Sequence, residues 1–278
     1  FTPHSPGQRE VLQRVHEALD HKEGAQRFID CATGRQWGKS TCAEMALWDA
    51  LLRGPDAFGP PTIKIISDTY EHTNLIWDKF TRHLFGTPGL TKLLQPEYSR
   101  ERELITLGNG ATVQKLSSDR PQGLTGFTLT MALVDEAAFV SDESIELLLP
   151  CLAVRQGTLL AFGTAEGVGW HRTWFLRGLD ANYPDHWCTT FKSTDNPFFP
   201  PDELRVQELM MPARRFHQLY LAEWQGEEGA VFHNIDGCTL WKEPLEVAPV
   251  EKRDYIMGVD FARHHDFTVA YVADARTR

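Results

Sequence analysis

Short apolar runs alternate with stretches of helical periodicity along most of this chain. The apolar runs predict strands near residues 27–32, 62–67, 129–134 and 158–163, and the periodic stretches predict helices near 8–20, 39–53 and 69–85. Strands that alternate with helices in this way form a mainly parallel sheet covered by helices on both faces. The pattern therefore predicts an α/β fold.

Two further pairs of apolar runs predict hairpins. Residues 103–107 and 112–116 flank Gly108-Asn109-Gly110, a turn sequence that favours antiparallel pairing and predicts an addition to the main sheet. Near the end of the chain, residues 255–259 and 267–273 are joined by a polar turn, which predicts a separate hairpin.

The pattern between these regions changes twice. Residues 167–226 are helical and rich in aromatic anchors, which predicts a small helical lid subdomain, and residues 227–253 have the weak periodicity of a linker. We therefore predict a core at 1–166, the lid at 167–226, the linker at 227–253 and the start of a second domain at 254–278.

A glycine-rich turn joins the first predicted strand to its helix. The turn reads GRQWGKST, and a strand, a Gly-Lys-Ser turn and a helix in this order bind nucleotide phosphates. Lys39 would reach the β- and γ-phosphates, and the Ser40 hydroxyl would ligate Mg²⁺. Thr33 stands where the usual first glycine belongs, so the spacing departs from the common phosphate loop. The predicted nucleotide-binding positions are Gly34, Arg35, Gln36, Trp37, Gly38, Lys39, Ser40 and Thr41.

An acidic pair follows the third predicted strand. In a parallel sheet the strand ends meet at one edge, so Asp135 and Glu136 can face the phosphate loop. We expect Asp135 to hold Mg²⁺ and Glu136 to orient and deprotonate the attacking water. Thr164, after the next strand, is the candidate sensor of the γ-phosphate. Gln8, beside the first helix start, offers an amide donor and acceptor that suit the edge of adenine.

These segments resemble the large terminase subunit of tailed bacteriophages. The similarity covers the GRQWGKST loop, the stretch SSDRPQGLTGFTLTMALVDEAAF, LLAFGTAEG, RRFHQLYLAEWQGEEGAVF and YIMGVDFARHHDFTVAY. It extends over nearly the whole chain and is weak between Asp68 and Leu116. The resemblance implies a RecA-type P-loop ATPase fold with Walker A and Walker B motifs, followed by the first hairpin of an RNase H-like nuclease.

The resemblance also implies an activity and partners. It implies an ATPase, with ATP and Mg²⁺ as cofactors, that translocates double-stranded DNA into a viral procapsid. It implies a homo-oligomeric ring on the capsid portal, a monomer being possible in isolation, and a small terminase subunit as a further partner. The protein would work in the cytoplasm of the infected bacterial host.

Three residue roles rest on the same resemblance. Arg35 is the arginine that the family places after its first loop glycine, and Asp260 would help hold the nuclease metal pair, Mg²⁺ or Mn²⁺. Relatives can carry a trans-acting arginine finger where this chain has Thr125, and Arg120 is the nearest substitute. The complete nuclease site needs carboxylates from later strands, so no DNA cleavage is expected from this chain, which we interpret as a fragment because it begins at Phe1.

Composition limits the alternatives. No apolar run is long enough to span a membrane, and five cysteines without C-x-x-C spacing predict reduced packing residues. The net charge of −10 argues against tight DNA binding, although a motor that grips and releases DNA needs only a local basic rim. A helicase-like DNA-dependent ATPase and a non-hydrolysing nucleotide switch remain alternatives. Residues 230–278 do not begin the second motor domain of a helicase, and Glu136 argues against a switch.

Overall fold

The computed structural model describes residues 2–225, 253–260 and 269–275. The chain divides into two compact units, Phe1–Gly226 and Glu227–Arg278. The predicted linker at 227–253 lies outside the described residues, apart from Arg253. None of the helices in the described ranges is long and apolar enough to cross a membrane.

The first unit is built on one eight-stranded sheet with the order β3-β4-β5-β2-β6-β7-β1-β8. Five neighbouring strand pairs, from β5–β2 across to β1–β8, are parallel, and the two pairs at the β3 end are antiparallel. The strands are β1 (Phe28–Thr33), β2 (Thr62–Ser67), β3 (Glu97–Ser99), β4 (Leu104–Thr106), β5 (Thr112–Ser117), β6 (Met131–Val134), β7 (Thr158–Gly163) and β8 (His186–Phe191).

Helices connect the strands and cover both faces of this sheet. They are α1 (Pro6–Leu19), α2 (Lys39–Leu51), α3 (Tyr70–Gly86), α4 (Pro88–Leu94), α5 (Asp142–Ala153), α6 (Trp170–Gly178), α7 (Pro201–Met210) and α8 (Ala213–Leu221). The mainly parallel α/β fold with helices on both faces is therefore confirmed.

Alternation along the central strands explains the two covered faces. Leu133 and Phe162 pack with residues of α1, α2 and α3, whereas Val134 and Ala161, the adjacent positions on the same strands, pack with residues of α5 and α6. Successive side chains of a strand point to opposite faces, so a strand that is apolar throughout needs a helix layer on each side. Because these strands pair in parallel, the carboxyl ends of β1, β2, β6 and β7 lie at one edge of the sheet.

The sequence pattern missed several elements. Helices α4 and α5 and the short strand β3 were not predicted, and neither was β8, which lies within the predicted helical lid. Strand β8 pairs parallel with β1 along its whole length, and Trp170 and Trp174 of α6 pack under the sheet. The first part of the predicted lid is therefore built into the main sheet.

The second unit contains an antiparallel hairpin. Strands β9 (Tyr255–Asp260) and β10 (Val269–Asp274) pair with Asp260 opposite Val269 and Tyr255 opposite Asp274. This agrees with the hairpin expected from the sequence. Asp260 ends β9, and its side chain lies outside the described residues.

Candidate nucleotide site

The phosphate loop forms between β1 and α2, as the sequence predicts. Gly38 has φ 104° and caps α2, with its carbonyl accepting hydrogen bonds from the N–H groups of Thr41 and Cys42, both at 3.1 Å. A positive φ is readily adopted only by glycine, so Gly38 is required for this tight entry into the helix. The turn leaves the first N–H groups of α2 available for an anion.

The backbone of the loop is hydrogen-bonded to the end of β8 and to residues that follow it in the chain. Gly34 N–H donates to Phe191 O at 2.7 Å and Arg35 N–H to Leu219 O at 2.6 Å. Ser193 Oγ donates to Arg35 O at 2.6 Å, and Asn196 Nδ2 donates to Gln36 O, also at 2.6 Å. These contacts fix the backbone of the loop to β8, the turn after it and α8.

Gly34 has no room for a side chain. A Cβ atom there would lie 2.6 Å from Ser193 N and 2.7 Å from Tyr220 O, closer than real side chains approach backbone. The close approach explains why glycine stands at the second position of the loop although Thr33 replaces glycine at the first.

The acidic pair meets the loop lysine, as predicted. Lys39 Nζ contacts Glu136 Oε1 directly and lies 3.5 Å from Asp135 Oδ1. Burial opposes the ammonium charge, but the two carboxylates outweigh it and hold the pKa of Lys39 above its usual range. Burial also raises the pKa of Asp135, against the charge of Lys39, because its carboxylate is fully enclosed.

Glu136 adopts a strained backbone conformation. Its φ of 49° lies in the left-handed region that few non-glycine residues occupy, and it is followed by a single turn of 3-10 helix at Ala137–Phe139. Such strain persists where the surrounding structure over-determines it, and it is concentrated at functional sites. The turn brings the Glu136 carboxylate into the cleft beside Lys39.

Asp135 and Ser40 fit a magnesium ion. Asp135 Oδ1 accepts the Glu136 N–H at 3.0 Å, whereas its buried Oδ2 has no hydrogen-bond partner among the described residues. A buried carboxylate oxygen without a donor is costly unless a cation or water satisfies it. No group of three or more His, Cys, Asp or Glu side chains in the described ranges forms a metal cage. A Mg²⁺ ion held by one hydroxyl, one carboxylate and phosphate oxygens needs no such cage.

A cleft of about 550 Å³ opens over the loop and brings most of the predicted residues together. Its lining includes the predicted residues Gly34, Arg35, Gln36, Gly38, Lys39, Ser40, Thr41, Glu136 and Thr164. Thr164, the predicted γ-phosphate sensor, lines the same cleft as Glu136.

Four predicted residues of the first unit lie outside the lining: the fully buried Asp135, and Gln8, Trp37 and Arg120. Gln8 is buried, its Nε2 donates to Gly38 O at 3.2 Å, and its Oε1 accepts the His4 N–H at 2.7 Å. Trp37 points into the core, so only its backbone belongs to the loop. Arg120 is exposed in the loop before β6 and caps a 3-10 turn at Pro121–Leu124.

Sequence reasoning missed several residues of the cleft lining, Phe139 and Leu219 among them. Glu166 and Arg215 both line the cleft and form an ion pair at 2.6 Å, and His72 and Leu75 line it from α3. His72 follows an apolar strand that ends in Ser67-Asp68, and polar residues after a parallel strand were the available signal. Arg215 joins the site only through long-range packing.

Comparison with known proteins identifies the family. Residues 30–236 match the family model of the terminase large subunit, T4likevirus-type, N-terminal. The terminase large subunits of Thermus phage G20c and Thermus virus P23-45 are 27% and 25% identical to this chain. Each alignment is 296 positions long, gaps included, and covers 92% of this chain. The chain spans 59% of the length of each of these relatives.

Solved structures share the fold. The ATPase domain of the Thermus phage P74-26 large terminase has a TM-score of 0.62 at 22% identity, covering 81% of this chain and 100% of that domain. The HK97 bacteriophage large terminase has a TM-score of 0.70 at 15% identity and covers 98% of this chain and 60% of its own. The large terminase of a thermophilic bacteriophage in complex with ADP has a TM-score of 0.64 at 14% identity, covering 99% of this chain and 69% of that one. The family model covers most of the chain and includes both the phosphate loop and the acidic pair, so the chain belongs to the T4likevirus-type terminase large-subunit family and carries its N-terminal region.

Proposed function

We propose that this chain is the ATP-hydrolysing part of a motor that translocates double-stranded DNA into a viral procapsid. The observation that carries the proposal is the position of Lys39, which lines the cleft over the phosphate loop, contacts Glu136 there and lies 3.5 Å from the buried Asp135. A loop lysine beside two carboxylates at the ends of parallel strands is the arrangement of phosphoryl-transfer sites. The complexes of the thermophilic bacteriophage large terminase with ADP and with ATP-γ-S support a nucleotide in this cleft.

The side chains divide the work of hydrolysis. Backbone N–H groups of the loop and the positive end of α2 bind the phosphates, and Lys39 adds its charge to the β- and γ-phosphates. Ser40 and Asp135 would hold Mg²⁺, which would supply positive charge to neutralise the phosphates. Glu136 orients the attacking water and accepts its proton. A phosphate that enters between Lys39 and Glu136 would replace Glu136 as the ion-pair partner of the Lys39 ammonium. The Glu136 carboxylate is then free to act as the base.

The arginines and Thr164 complete the proposed site. Arg35 lies on the cleft and supplies charge from within the same subunit, whereas Arg120 is exposed and acts on a neighbouring subunit of a ring. Thr164 contacts the water or Glu136 and senses the γ-phosphate. Gln8 reads the edge of adenine.

The remaining partners follow from membership of the family. We propose that the ring docks on the portal with the small terminase subunit, in the cytoplasm of the infected bacterium. The β9–β10 hairpin begins an RNase H-like nuclease in which Asp260 helps hold Mg²⁺ or Mn²⁺. Helices α7 and α8 form the part of the lid that responds to nucleotide, since Leu219 O of α8 accepts the Arg35 N–H of the phosphate loop.

Single-turnover phosphate release, measured with and without double-stranded DNA, tests the proposal. We expect ATP hydrolysis that DNA stimulates, loss of ATP binding in Lys39→Ala, and retained binding with about a hundredfold slower hydrolysis in Glu136→Ala. ATP binding without hydrolysis in the parent protein would favour the nucleotide switch. Strand separation by the isolated chain would favour the helicase-like ATPase.

A further inference from the structure

His72 is the first-turn residue of α3 that reaches the nucleotide cleft. It lies five residues after Ser67, the last residue of β2, and β2 neighbours β6 and its acidic pair in the sheet. His72 lines the cleft together with Lys39 and Glu136. An imidazole at this place faces the same space as the groups that act on the phosphates.

A carboxylate orients the imidazole. His72 Nδ1 lies 2.5 Å from Asp68 Oδ1, and the same oxygen accepts a hydrogen bond from Ser67 Oγ at 2.9 Å. The backbone of Asp68 is fixed in turn, because its carbonyl accepts Ser117 Oγ at 2.8 Å. With Nδ1 engaged by Asp68, Nε2 is the ring nitrogen that remains for a ligand.

The surroundings favour the charged imidazolium. The hydrogen bond with Asp68 raises the pKa of His72, burial opposes it only in part, and the charges of Glu136 and Asp135 raise it further. Lys39 faces it from α2, but that ammonium is paired with the acidic residues. A cation with a free N–H donor in a phosphate-binding cleft is suited to bind a phosphate oxygen.

We propose that His72, held by Asp68, binds the terminal phosphate of a nucleoside triphosphate from within the same subunit. Glu136 must lie beside the terminal phosphorus to activate its water, and His72 lines the same cleft within reach of the Glu136 charge. The contact is absent when the ligand is a diphosphate. His72 therefore gives the site its preference for triphosphate over diphosphate, an inference that rests on the proposed ATPase function.

The test compares the affinity of the intact chain for ADP and for the non-hydrolysable triphosphate AMP-PNP by calorimetry. His72→Asn keeps an amide N–H near Asp68 and removes the nitrogen that faces the cleft. Because a hydrogen bond to a charged group contributes on the order of tenfold in affinity, AMP-PNP should bind about tenfold more weakly and ADP equally well.

The pH dependence separates a charge contact from a structural role. In the parent protein the imidazolium contact is present below the raised pKa of His72 and lost as the pH rises through it, so the preference for AMP-PNP should fall. His72→Asn should show a low preference for AMP-PNP over ADP at every pH. The pH dependence that remains in this variant reports the titration of the ligand itself. His72→Lys should restore the preference and extend it to higher pH.

His83→Asn is the matched control, since His83 also lies on α3 and pairs with a carboxylate, that of Glu44, but does not line the cleft. It should leave the ratio of the two affinities unchanged. Equal weakening of both ligands in His72→Asn, or an unchanged AMP-PNP affinity, would overturn the role of His72. Failure of the parent protein to bind either nucleotide would instead overturn the proposed function.

Discussion

Trp37 of the phosphate loop stacks on Phe191 at the end of β8, with ring centroids 4.5 Å apart and an angle of 7° between the planes. Both rings are buried, and the ring of Phe162 of β7 also packs against Trp37, at a centroid distance of 6.2 Å. The loop that binds phosphate is therefore anchored in the core by its own side chain. Phe191 O also accepts the Gly34 N–H, so β8 supports the loop through both backbone and side chain.

Phe191→Leu should weaken nucleotide binding in addition to destabilising the fold. The smaller side chain loses the stacked ring and leaves Trp37 room to move, with a cost in stability of about 1 to 3 kcal/mol. We expect ATP affinity to fall several-fold at a temperature where the protein is still folded. Chemical denaturation and calorimetric titration measure the two effects.

Phe80→Leu is the matched control for this substitution. Phe80 is also buried and packs on a tryptophan, Trp48, with ring centroids 4.7 Å apart, but neither residue belongs to the loop. It should lower stability by a similar amount and leave ATP affinity unchanged. If both variants lost affinity equally, general destabilisation would explain the loss.

The local parts of this fold were predictable from the sequence, and the long-range parts were not. Strands β1, β2, β6 and β7 are buried along nearly their whole length and rich in apolar residues, so each produced a clear signal. Strand β8 is an edge strand of intermediate burial, and its residues His186 to Phe191 carry no continuous apolar run. The surrounding aromatic helices therefore dominated the pattern.

The same distinction applies to the site. Lys39, Asp135 and Glu136 were predictable because each ends or follows a recognisable local element. The support of Arg35 by Ser193 joins residues 158 positions apart, and no local pattern contains it. The position of Gln8 was predictable, but its hydrogen bond to Gly38 required the structure.

Gln8→Ala should have two separable effects. The amide supports the loop through Gly38 O, so both ATP and GTP should bind more weakly, by about three- to tenfold. The described side-chain contacts of Gln8 use one amide N–H and one lone pair, and the proposed adenine contact uses the other two, so ATP should lose more than GTP. Competition binding with the two nucleotides measures the difference. Equal losses would exclude the adenine role, and an unchanged GTP affinity would exclude support of the loop.

Lys64→Met should stabilise the protein at neutral pH. Burial lowers the pKa of Lys64 from 10.5 to about 8, and its ammonium contacts only neutral groups among the contacts described, the Gln114 amide and the Phe127 ring at 3.9 Å. Below pH 8 the folded protein carries the full cost of the buried charge, and the cost disappears as the pH approaches 10.5. We expect a gain of about 1 to 3 kcal/mol at pH 7 that shrinks by about pH 9.5.

Denaturation of the parent and variant at both pH values provides the measurement. Lys115 of β5 is a paired counterpart, since its ammonium lies 2.7 Å from Asn74 Oδ1 and 3.4 Å from Glu103 Oε1. Lys115→Met should destabilise the protein at neutral pH, because it leaves those oxygens without their cation. A Lys64→Met variant that lost stability at neutral pH would contradict the assigned cost. The burial of Lys64 also removes it from the basic residues available to contact DNA.

Arg120 should act across a subunit interface. It is exposed and lies outside the cleft of its own subunit, whereas Arg35 lines that cleft. An arginine finger contributes about a thousandfold or more to the rate, so monomers should bind ATP and hydrolyse it slowly. Activity should therefore rise more steeply than linearly with protein concentration, as measured by steady-state phosphate release.

Mixing two inactive variants tests the direction of this contact. Arg120→Ala keeps an intact Glu136 site without a finger, and Glu136→Ala keeps the finger without a functional site. In a ring of randomly mixed subunits, roughly a quarter of the interfaces place Arg120 of a Glu136→Ala subunit beside the intact site of an Arg120→Ala subunit. Hydrolysis should return at these interfaces and give roughly a quarter of the parent rate. Mixed assembly is verified by crosslinking of differently labelled subunits. Recovery requires a finger in trans, because neither variant can repair its own site. No recovery in proven mixed rings would exclude Arg120 as that finger and assign the charge to Arg35 within the loop.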